Sequence, residues 1–184
     1  MVGDIPCQAA PTERPQPLYA AFARIADFWH TAPMRILFVC TGNTCRSPMA
    51  AAICRDLLRQ KPIQGVDVHV GSAGVAAQDG APASPQTDTA LQTLGITLGN
   101  HRSQQVTPHL LAEADEIFTM TRSHLEMLLQ FEPGLDHKAT VVDPAGGDVP
   151  DPIGMPEEVY IETAEHLRAM IEARLDELRA VHQA

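Results

Sequence analysis

The sequence predicts an α/β domain of three layers, in which a four-stranded parallel sheet is covered by helices on both faces. From residue 34 onward, short segments rich in β-favouring residues alternate with longer segments that carry apolar residues at helical spacing. Strands separated by helices form parallel sheets, and the crossover helices cover both faces. A chain of 184 residues that is 45% hydrophobic can bury one substantial core.

The elements follow in a regular order. The predicted strands are residues 35–39, 66–71, 116–120 and 139–142, and the predicted helices are residues 48–60, 84–95, 107–114, 122–131 and 156–181. In the last helix one face is apolar, formed by Tyr160, Ala164, Leu167, Ile171, Leu175 and Leu178. Ligands bind at the carboxyl ends of the strands in such sheets, so a site is expected there.

The first 33 residues differ from the rest. Residues 1–17 contain four prolines and no apolar period, which is typical of disorder. Apolar residues at helical spacing over residues 18–29 then predict a short amphipathic helix. We expect residues 1–33 to be an extension outside the core, and residues 34–184 to form the functional domain. Two explanations are favoured for this segment: the helix packs on its own domain, or translation starts at Met34. Docking of the helix to a partner is the alternative.

Composition limits the classes of partner. The net charge of −10 argues against nucleic acid or an anionic membrane as the main partner. The sequence contains no run of about 18 apolar residues, so no membrane-spanning segment is predicted. Four cysteines, two of them in one loop, fit a reduced cytoplasmic protein better than a disulfide framework. The oligomeric state stays open.

The most informative segment joins the first strand to the first helix. Residues 36–39 are apolar and lead into Cys40, and helical sequence follows Ser47 and Pro48. A loop at this position points backbone N–H groups and the positive end of the helix dipole at an anion. The same field stabilises the thiolate of Cys40, which makes it a nucleophile.

Residue types within this loop agree with that interpretation. Gly42 and Asn43 tolerate the left-handed backbone that an anion-wrapping loop needs. Ser47 and Pro48 predict the N-cap and first position of the helix. Arg46 can hold two phosphate oxygens with its planar fork, and the Ser47 hydroxyl can donate to the Cys40 sulfur.

A proton donor is expected from the loop between the last strand and the last helix. This loop offers three carboxylates, Asp143, Asp148 and Asp151, at the same edge of the sheet as Cys40. Partial desolvation beside a bound phosphate would favour a protonated carboxyl that acts as general acid. Asp and Pro also favour turns, so spacing alone does not select one of the three.

These motifs resemble the low-molecular-weight protein tyrosine phosphatases. Residues 38–50 (FVCTGNTCRSPMA) are similar to the family signature, 72–74 (SAG) to its second-strand motif, and 114–120 (ADEIFTM) to its third-strand segment. Residues 148–154 (DVPDPIG) with Val159 and Tyr160 resemble its acid loop. The resemblance covers residues 34–178 and implies the same fold, described above.

The resemblance also implies roles for individual residues. Cys40, Arg46 and Asp151 would be catalytic, with Asp151 as the general acid. The loop residues that would bind phosphate are Thr41, Gly42, Asn43, Thr44, Cys45 and Ser47. Ser72 and His101 would support Asn43 from behind. Cys45 would protect Cys40 by a reversible disulfide, with a small buried residue as the alternative.

The substrate implied is a phosphorylated protein, with phosphoarginine favoured. Thr44 stands where tyrosine-type members carry Ile, and Met120-Thr121 also resembles the bacterial branch that acts on protein arginine. A threonine leaves more room than isoleucine and can bond a polar guanidinium. However, Ile153 and Gly154 replace the aromatic residues that follow Asp-Pro, and the arginine branch usually has an aromatic residue at 153 as well.

Three other functions remain as alternatives. A phosphotyrosine-specific enzyme is the first of them. A thiol-coupled arsenate reductase would need further relay cysteines, and none follows Cys54. A phosphate-binding regulator without turnover would not need Cys40, Arg46 and an Asp-Pro together. The His and Cys residues show no metal-ligand spacing, and thiolate, guanidinium and carboxylate suffice for the chemistry, so no metal or cofactor is expected.

Overall fold

A computed structural model describes residues 33–183 of the chain. Its centre is a sheet of four strands, all parallel, in the spatial order β2-β1-β3-β4. The central position of β1 puts its carboxyl end in the middle of one sheet edge. The strands are β1 Met34–Cys40, β2 Val68–Gly74, β3 Glu116–Thr119 and β4 Ala139–Val141.

Five α-helices connect or follow these strands. Three of them begin at a Ser or Thr N-cap whose side chain accepts a backbone N–H: Ser84, Thr107 and Thr121. A 3₁₀ turn that the sequence did not predict covers Pro133–Leu135. The helices are α1 Arg46–Gln60, α2 Pro85–Thr93, α3 Pro108–Glu113, α4 Arg122–Phe131 and α5 Glu157–His182.

Side chains of β1 alternate between the two faces of the sheet, as expected for a buried parallel strand. Ile36 and Phe38 lie in a core cluster with residues of α1, α2 and α5. Leu37 and Val39 lie in a second cluster with residues of α3 and α4. The predicted three-layer architecture is therefore confirmed.

Two predicted boundaries near the site are wrong. The second strand runs to Gly74 instead of ending at residue 71, because β1 pairs with it in register as far as Cys40 and Gly74. The first helix begins at Arg46, with Cys45 as an N-cap that makes no side-chain capping bond. Ser47 is thus not the N-cap but the second residue of the helix, which directs its hydroxyl to other partners.

The N-terminal predictions concern a different part of the chain. Residues 1–32, including the predicted helix at 18–29, lie outside the described residues. Within residues 33–183, none of the helices combines the length and apolar character that crossing a bilayer requires.

Candidate active site

The phosphate loop, defined here as residues 40–46, joins the end of β1 to the start of α1. Of the two residues expected to tolerate a left-handed backbone, only Asn43 adopts it, with φ 55°. It is the sole non-glycine residue with positive φ in the described chain. Such a conformation costs energy in an ordinary residue, so the surroundings of Asn43 must hold it in place.

Asn43 is buried and bonded on every polar atom of its side chain. Its Nδ2 donates to Ser47 Oγ at 2.8 Å and to Ser72 Oγ at 2.9 Å. Its Oδ1 accepts the backbone N–H of Gln104 at 2.9 Å. His101 Nε2 lies 2.8 Å from the Asn43 carbonyl oxygen. The structure thus brings the two predicted supporting residues, Ser72 and His101, into direct contact with Asn43.

The Cys40 sulfur is buried at the base of the loop. The backbone N–H of Asn43 donates to it over 3.3 Å, and Ser47 Oγ lies 3.0 Å from it. Ser47 Oγ already accepts from Asn43, so its single proton is directed either to the sulfur or to the Ala73 carbonyl at 3.2 Å. A charged sulfur accepts hydrogen bonds more strongly than a neutral one, and two donors, the Asn43 N–H and the Ser47 hydroxyl, are within reach of the Cys40 sulfur.

Arg46 is held over the loop by three contacts. Its Nη1 donates to the Val149 carbonyl at 3.1 Å, and its Nη2 donates to Thr41 Oγ1 at 3.4 Å and to Asp151 Oδ2 at 2.5 Å. The Arg46 side chain is 5% exposed and that of Asp151 is 41% exposed. Asp151 is therefore partly buried and forms an ion pair with the buried Arg46.

The three candidate carboxylates have different surroundings. Asp143 accepts the backbone N–H groups of Ala145 and Gly147 within its own turn. Asp148 accepts the backbone N–H of Arg122 at 2.7 Å, at the start of α4. Only Asp151 of the three contacts the phosphate loop. Geometry thus selects the residue that spacing alone left open.

The other side of the loop rests on the start of α2. The Thr44 carbonyl accepts the Ser84 backbone N–H at 3.0 Å and the Thr87 hydroxyl at 3.3 Å. The buried Cys45 sulfur lies 3.4 Å from Ser84 Oγ and 3.8 Å from the Tyr160 hydroxyl. Burial and the neighbouring Cys45 raise the pKa of Tyr160. The protective disulfide of Cys45 stays a prediction.

Sequence reasoning missed a buried histidine at this site. His124 Nε2 lies 2.9 Å from Thr41 Oγ1, and its Nδ1 lies 2.8 Å from Thr121 Oγ1. Burial and the positive charge of Arg46 lower the pKa of His124, against a smaller opposing effect of Asp151 and Asp148. His124 thus links the start of α4 to the loop. A histidine three residues after a Thr N-cap is the only sequence signal, and it is weak.

Sequence reasoning also missed the roles of Gly74, at the end of β2, and of Gln104. Gln104 bonds Asn43 through its backbone and donates Nε2 to the Ser72 carbonyl at 3.0 Å. Gly74 lies against the loop so closely that a Cβ there would clash with the Thr41 carbonyl oxygen and approach the Asn43 nitrogen to 2.9 Å. The Ser-Ala-Gly motif contains this glycine, but the sequence does not show what it faces.

Residues 33–183 contain no group of three or more His, Cys, Asp or Glu side chains able to hold a metal ion. The third described cysteine, Cys54, lies outside the site, and burial raises its pKa to about 12. The arrangement therefore offers two loop thiols, of which Cys40 is the one contacted by the Asn43 N–H, together with one fixed guanidinium and one carboxylate beside that guanidinium.

Comparison with known proteins agrees with this arrangement. A protein-arginine-phosphatase of Geobacillus stearothermophilus is 40% identical over 151 residues, which cover 80% of this chain and 97% of the relative. A probable low molecular weight protein-tyrosine-phosphatase, EpsP, of Ralstonia nicotianae is 35% identical over 150 residues, 79% of this chain and 97% of the relative.

A solved structure of the YwlE arginine phosphatase, a cysteine-to-serine mutant with a phosphorylated active-site serine, is similar with a TM-score of 0.74. It is 33% identical and covers 79% of this chain and 96% of that one. The family model for low molecular weight phosphotyrosine protein phosphatase matches residues 35–184. The chain therefore belongs to the low molecular weight phosphotyrosine protein phosphatase family.

Proposed function

We propose that this chain is a cysteine-dependent protein phosphatase that prefers phosphoarginine, and that Cys40 is its nucleophile. One observation carries the mechanism: the Cys40 sulfur lies within reach of the Asn43 N–H and the Ser47 hydroxyl, at the base of a loop that Arg46 covers. The similar arginine phosphatase with a phosphorylated serine at its active site supports a phosphoryl-enzyme intermediate.

In the first step the Cys40 thiolate attacks phosphorus in line with the leaving group. The S–P bond forms while the P–N bond of phosphoarginine breaks, and the leaving nitrogen takes a proton from Asp151. Arg46 and the loop N–H groups balance the charge on the three phosphoryl oxygens. In the second step Asp151 accepts a proton from water, whose oxygen attacks phosphorus and breaks the S–P bond.

The Asp151–Arg46 contact bears on how the acid becomes active. Phosphate oxygens and the Asp151 carboxylate compete for the same Nη2, which Asp151 contacts at 2.5 Å. Binding of the substrate would replace Asp151 at the guanidinium and put it next to a phosphoryl dianion. A negative neighbour favours the protonated carboxyl, which is the form needed for the first step.

The preference for phosphoarginine is supported by Thr44. Its backbone carbonyl accepts the Ser84 N–H and the Thr87 hydroxyl, which fixes the loop backbone at this half-buried residue. Ile153, in the acid loop, is 65% exposed and offers an aliphatic wall in place of an aromatic one. The similarity to a protein-arginine-phosphatase agrees with this choice, while the similarity to EpsP keeps phosphotyrosine as the second candidate.

The remaining features of the proposal follow from composition and family. The substrates would be phosphorylated proteins, the reaction would take place in the cytoplasm without a cofactor, and residues 1–33 would lie outside the catalytic domain. A negative net charge of −10 suits a cationic, arginine-rich protein surface.

The mechanism is tested by Cys40→Ser, which replaces the thiolate by a poor nucleophile. We expect kcat for a generic aryl phosphate to fall by at least about 10³-fold, because the covalent step depends on the nucleophile. A Cys54→Ser protein, altered at a buried thiol outside the loop, is the control. Turnover by Cys40→Ser at the rate of the control would refute the mechanism.

The substrate preference is tested by Thr44→Ile and Thr44→Val, assayed on phosphoarginine and phosphotyrosine peptides. We expect Thr44→Ile to shift the ratio of kcat/KM toward phosphotyrosine by about tenfold or more, since a bulky apolar wall rejects a guanidinium. Thr44→Val keeps the shape and removes only the hydroxyl, so it separates the two contributions. An unchanged ratio in Thr44→Ile would remove the basis for phosphoarginine.

A further inference from the structure

A polar cleft of about 360 Å³ lies beside the residues that support Asn43. Ser72, His101 and Gln104, each of which bonds Asn43, all line it. The remaining polar lining comes from Arg55, Asn100 and Arg102. The cleft therefore shares one wall with the phosphate loop and is otherwise separate from Cys40 and Arg46.

Two guanidinium groups face this cleft without neutralising partners. Arg55 Nη1 donates to the Val70 carbonyl at 3.1 Å. Neither Arg55 nor Arg102 has a carboxylate within 4.0 Å among residues 33–183. The acidic residue of the adjoining groove, Asp88, is bonded to Gln92 instead. In a chain with net charge −10, two unpaired cations in one cleft are an anion-binding arrangement.

The pKa of His101 is affected by the positive charges of both Arg55 and Arg102. Burial lowers the pKa of His101 most, the bond to the Asn43 carbonyl opposes this, and the charges of Arg55 and Arg102 lower it further. Both guanidinium groups are therefore close enough to act on the residue that contacts the loop backbone.

We propose that this cleft is a second anion site, which binds a phosphate dianion between the Arg55 and Arg102 guanidinium groups. Planar forks match the oxygens of a tetrahedral phosphate, and the Asn100 amide adds a neutral donor at the same wall. Free phosphate is the ion that a phosphatase releases, so the product itself is a suitable occupant. The site does not depend on which phosphorylated side chain the enzyme prefers.

Occupancy of this site acts on the catalytic loop through Asn43. A dianion offsets the charges of Arg55 and Arg102, which favours a protonated His101. A protonated imidazole donates more strongly to the Asn43 carbonyl and so reinforces the left-handed conformation at the centre of the loop. Product bound behind the loop would thus stiffen the loop in front of it.

The experiment is a titration of the ¹⁵N-labelled full chain with inorganic phosphate, followed by backbone amide shifts and matched with sodium chloride at equal ionic strength. We expect two saturable sets, one at Gly42 and Thr44 and one at Asn100 and Arg102, with different midpoints. In the presence of phosphate, the ring protons of His101 should report a raised pKa.

The variant Arg55→Gln with Arg102→Gln should weaken the second set by about tenfold or more and leave the loop set in place, because each guanidinium supplies a charge-assisted bond. Arg59→Gln is the matched control, since Arg59 lies on the same helix and pairs with Asp56.

Two results would overturn the proposal. Shifts at Asn100 and Arg102 that sodium chloride reproduces would mean ionic screening only. Shifts that follow the loop midpoint and persist in the double variant would mean that the loop is the single phosphate site. Neither result requires catalysis, so the test stands apart from the proposed reaction.

Discussion

The phosphate loop and the acid loop, residues 143–154 between β4 and α5, meet at the Arg46 guanidinium but are held in place by different kinds of contact. Residues of the phosphate loop are bonded to several distant segments, among them those that contain Ser72, Ser84, Gln104 and His124. All three acid-loop carboxylates instead accept backbone N–H groups, either within the loop or at the start of α4. Asp151, which is half-exposed, is the one of the three that also forms an ion pair with Arg46.

This difference indicates that the phosphate loop is prearranged, whereas the acid loop must adjust when a phosphate binds. The nucleophile sits in a buried network in which each bond limits the others. The proposed acid, Asp151, is held by the Ile153 N–H within its own loop and by the ion pair with Arg46, which a phosphate can replace. Changes in the acid loop should therefore alter single steps of the reaction, whereas changes behind the phosphate loop should alter its structure.

The largest effect is expected from Asp151→Asn, which removes the proton donor and keeps the shape. We expect kcat on a phosphopeptide to fall by about 10²- to 10⁴-fold, the usual range for loss of a general acid or base. The fall should be smaller on an aryl phosphate with an acidic leaving group, which needs little protonation.

Asp148→Asn is the matched control in the same loop, because its side chain can still accept the Arg122 N–H. Equal losses in the two variants would mean that the acid loop matters only as a structural element. A steady-state assay with both substrates decides between these results.

Gly74→Ala should have the next largest effect, and it tests the prearranged side. The new Cβ would clash with the Thr41 carbonyl oxygen, so the loop or β2 must shift. We expect the free energy of unfolding to fall by about 1–3 kcal/mol, as in other overpacked sites. We also expect kcat/KM to fall by about tenfold, since geometry at the reacting atoms is sensitive to small displacements.

Gly71→Ala on the same strand is the control, because its Cβ would meet only Leu37 Cδ1, at 3.6 Å. Urea unfolding and aryl phosphatase assays of both variants measure the two quantities. If both glycine variants behave alike, the close approach of Gly74 to the loop has no special importance.

The smallest effect is expected from His124→Gln, as a change in the pH dependence of stability. The pKa of His124 in the native state is lowered from its ordinary 6.5, so the unfolded chain binds this proton more tightly. The stability that neutral His124 contributes is thus full above pH 6.5 and is lost as the pH falls through the lowered native pKa.

The glutamine cannot take up that proton but can still reach Thr41. Acidification should therefore destabilise His124→Gln less than the wild type, as measured by urea unfolding between neutral and acidic pH. The exposed His109 provides the control substitution His109→Gln. Identical pH profiles for all three proteins would contradict the lowered pKa of His124.

The elements that local sequence could predict are those with local causes. The strand before Cys40 and the apolar face of α5 depend on neighbours in the chain, and the helix over 122–131 was predicted to the residue. The start of α1 was misplaced because Ser47 has the right residue type for a cap but is used instead to contact Cys40 and Asn43.

The parts of the site that could not be predicted depend on long-range contacts. Gln104 and His124 form hydrogen bonds with loop residues that lie 61 and 83 positions away in the sequence. The sequence next to Gln104 and His124 does not indicate these contacts. Spacing alone left the choice among the three acid-loop carboxylates open, since all three occupy turn-like sequence; the family resemblance named Asp151, which is the one that contacts Arg46. The expectation for Gly42 was wrong because the loop needs one left-handed residue, and Asn43 has the bonds to be that residue.

The single hydroxyl proton of Ser47 has a consequence for following the reaction. While the sulfur is anionic, this proton points at it; once the sulfur carries a phosphoryl group, it becomes a weaker acceptor and the proton is free to turn to the Ala73 carbonyl. Each catalytic cycle would then switch the hydrogen bonding of one strand carbonyl on and off. The infrared band of a ¹³C-labelled Ala73 carbonyl should therefore shift when the covalent intermediate forms and shift back when it is hydrolysed.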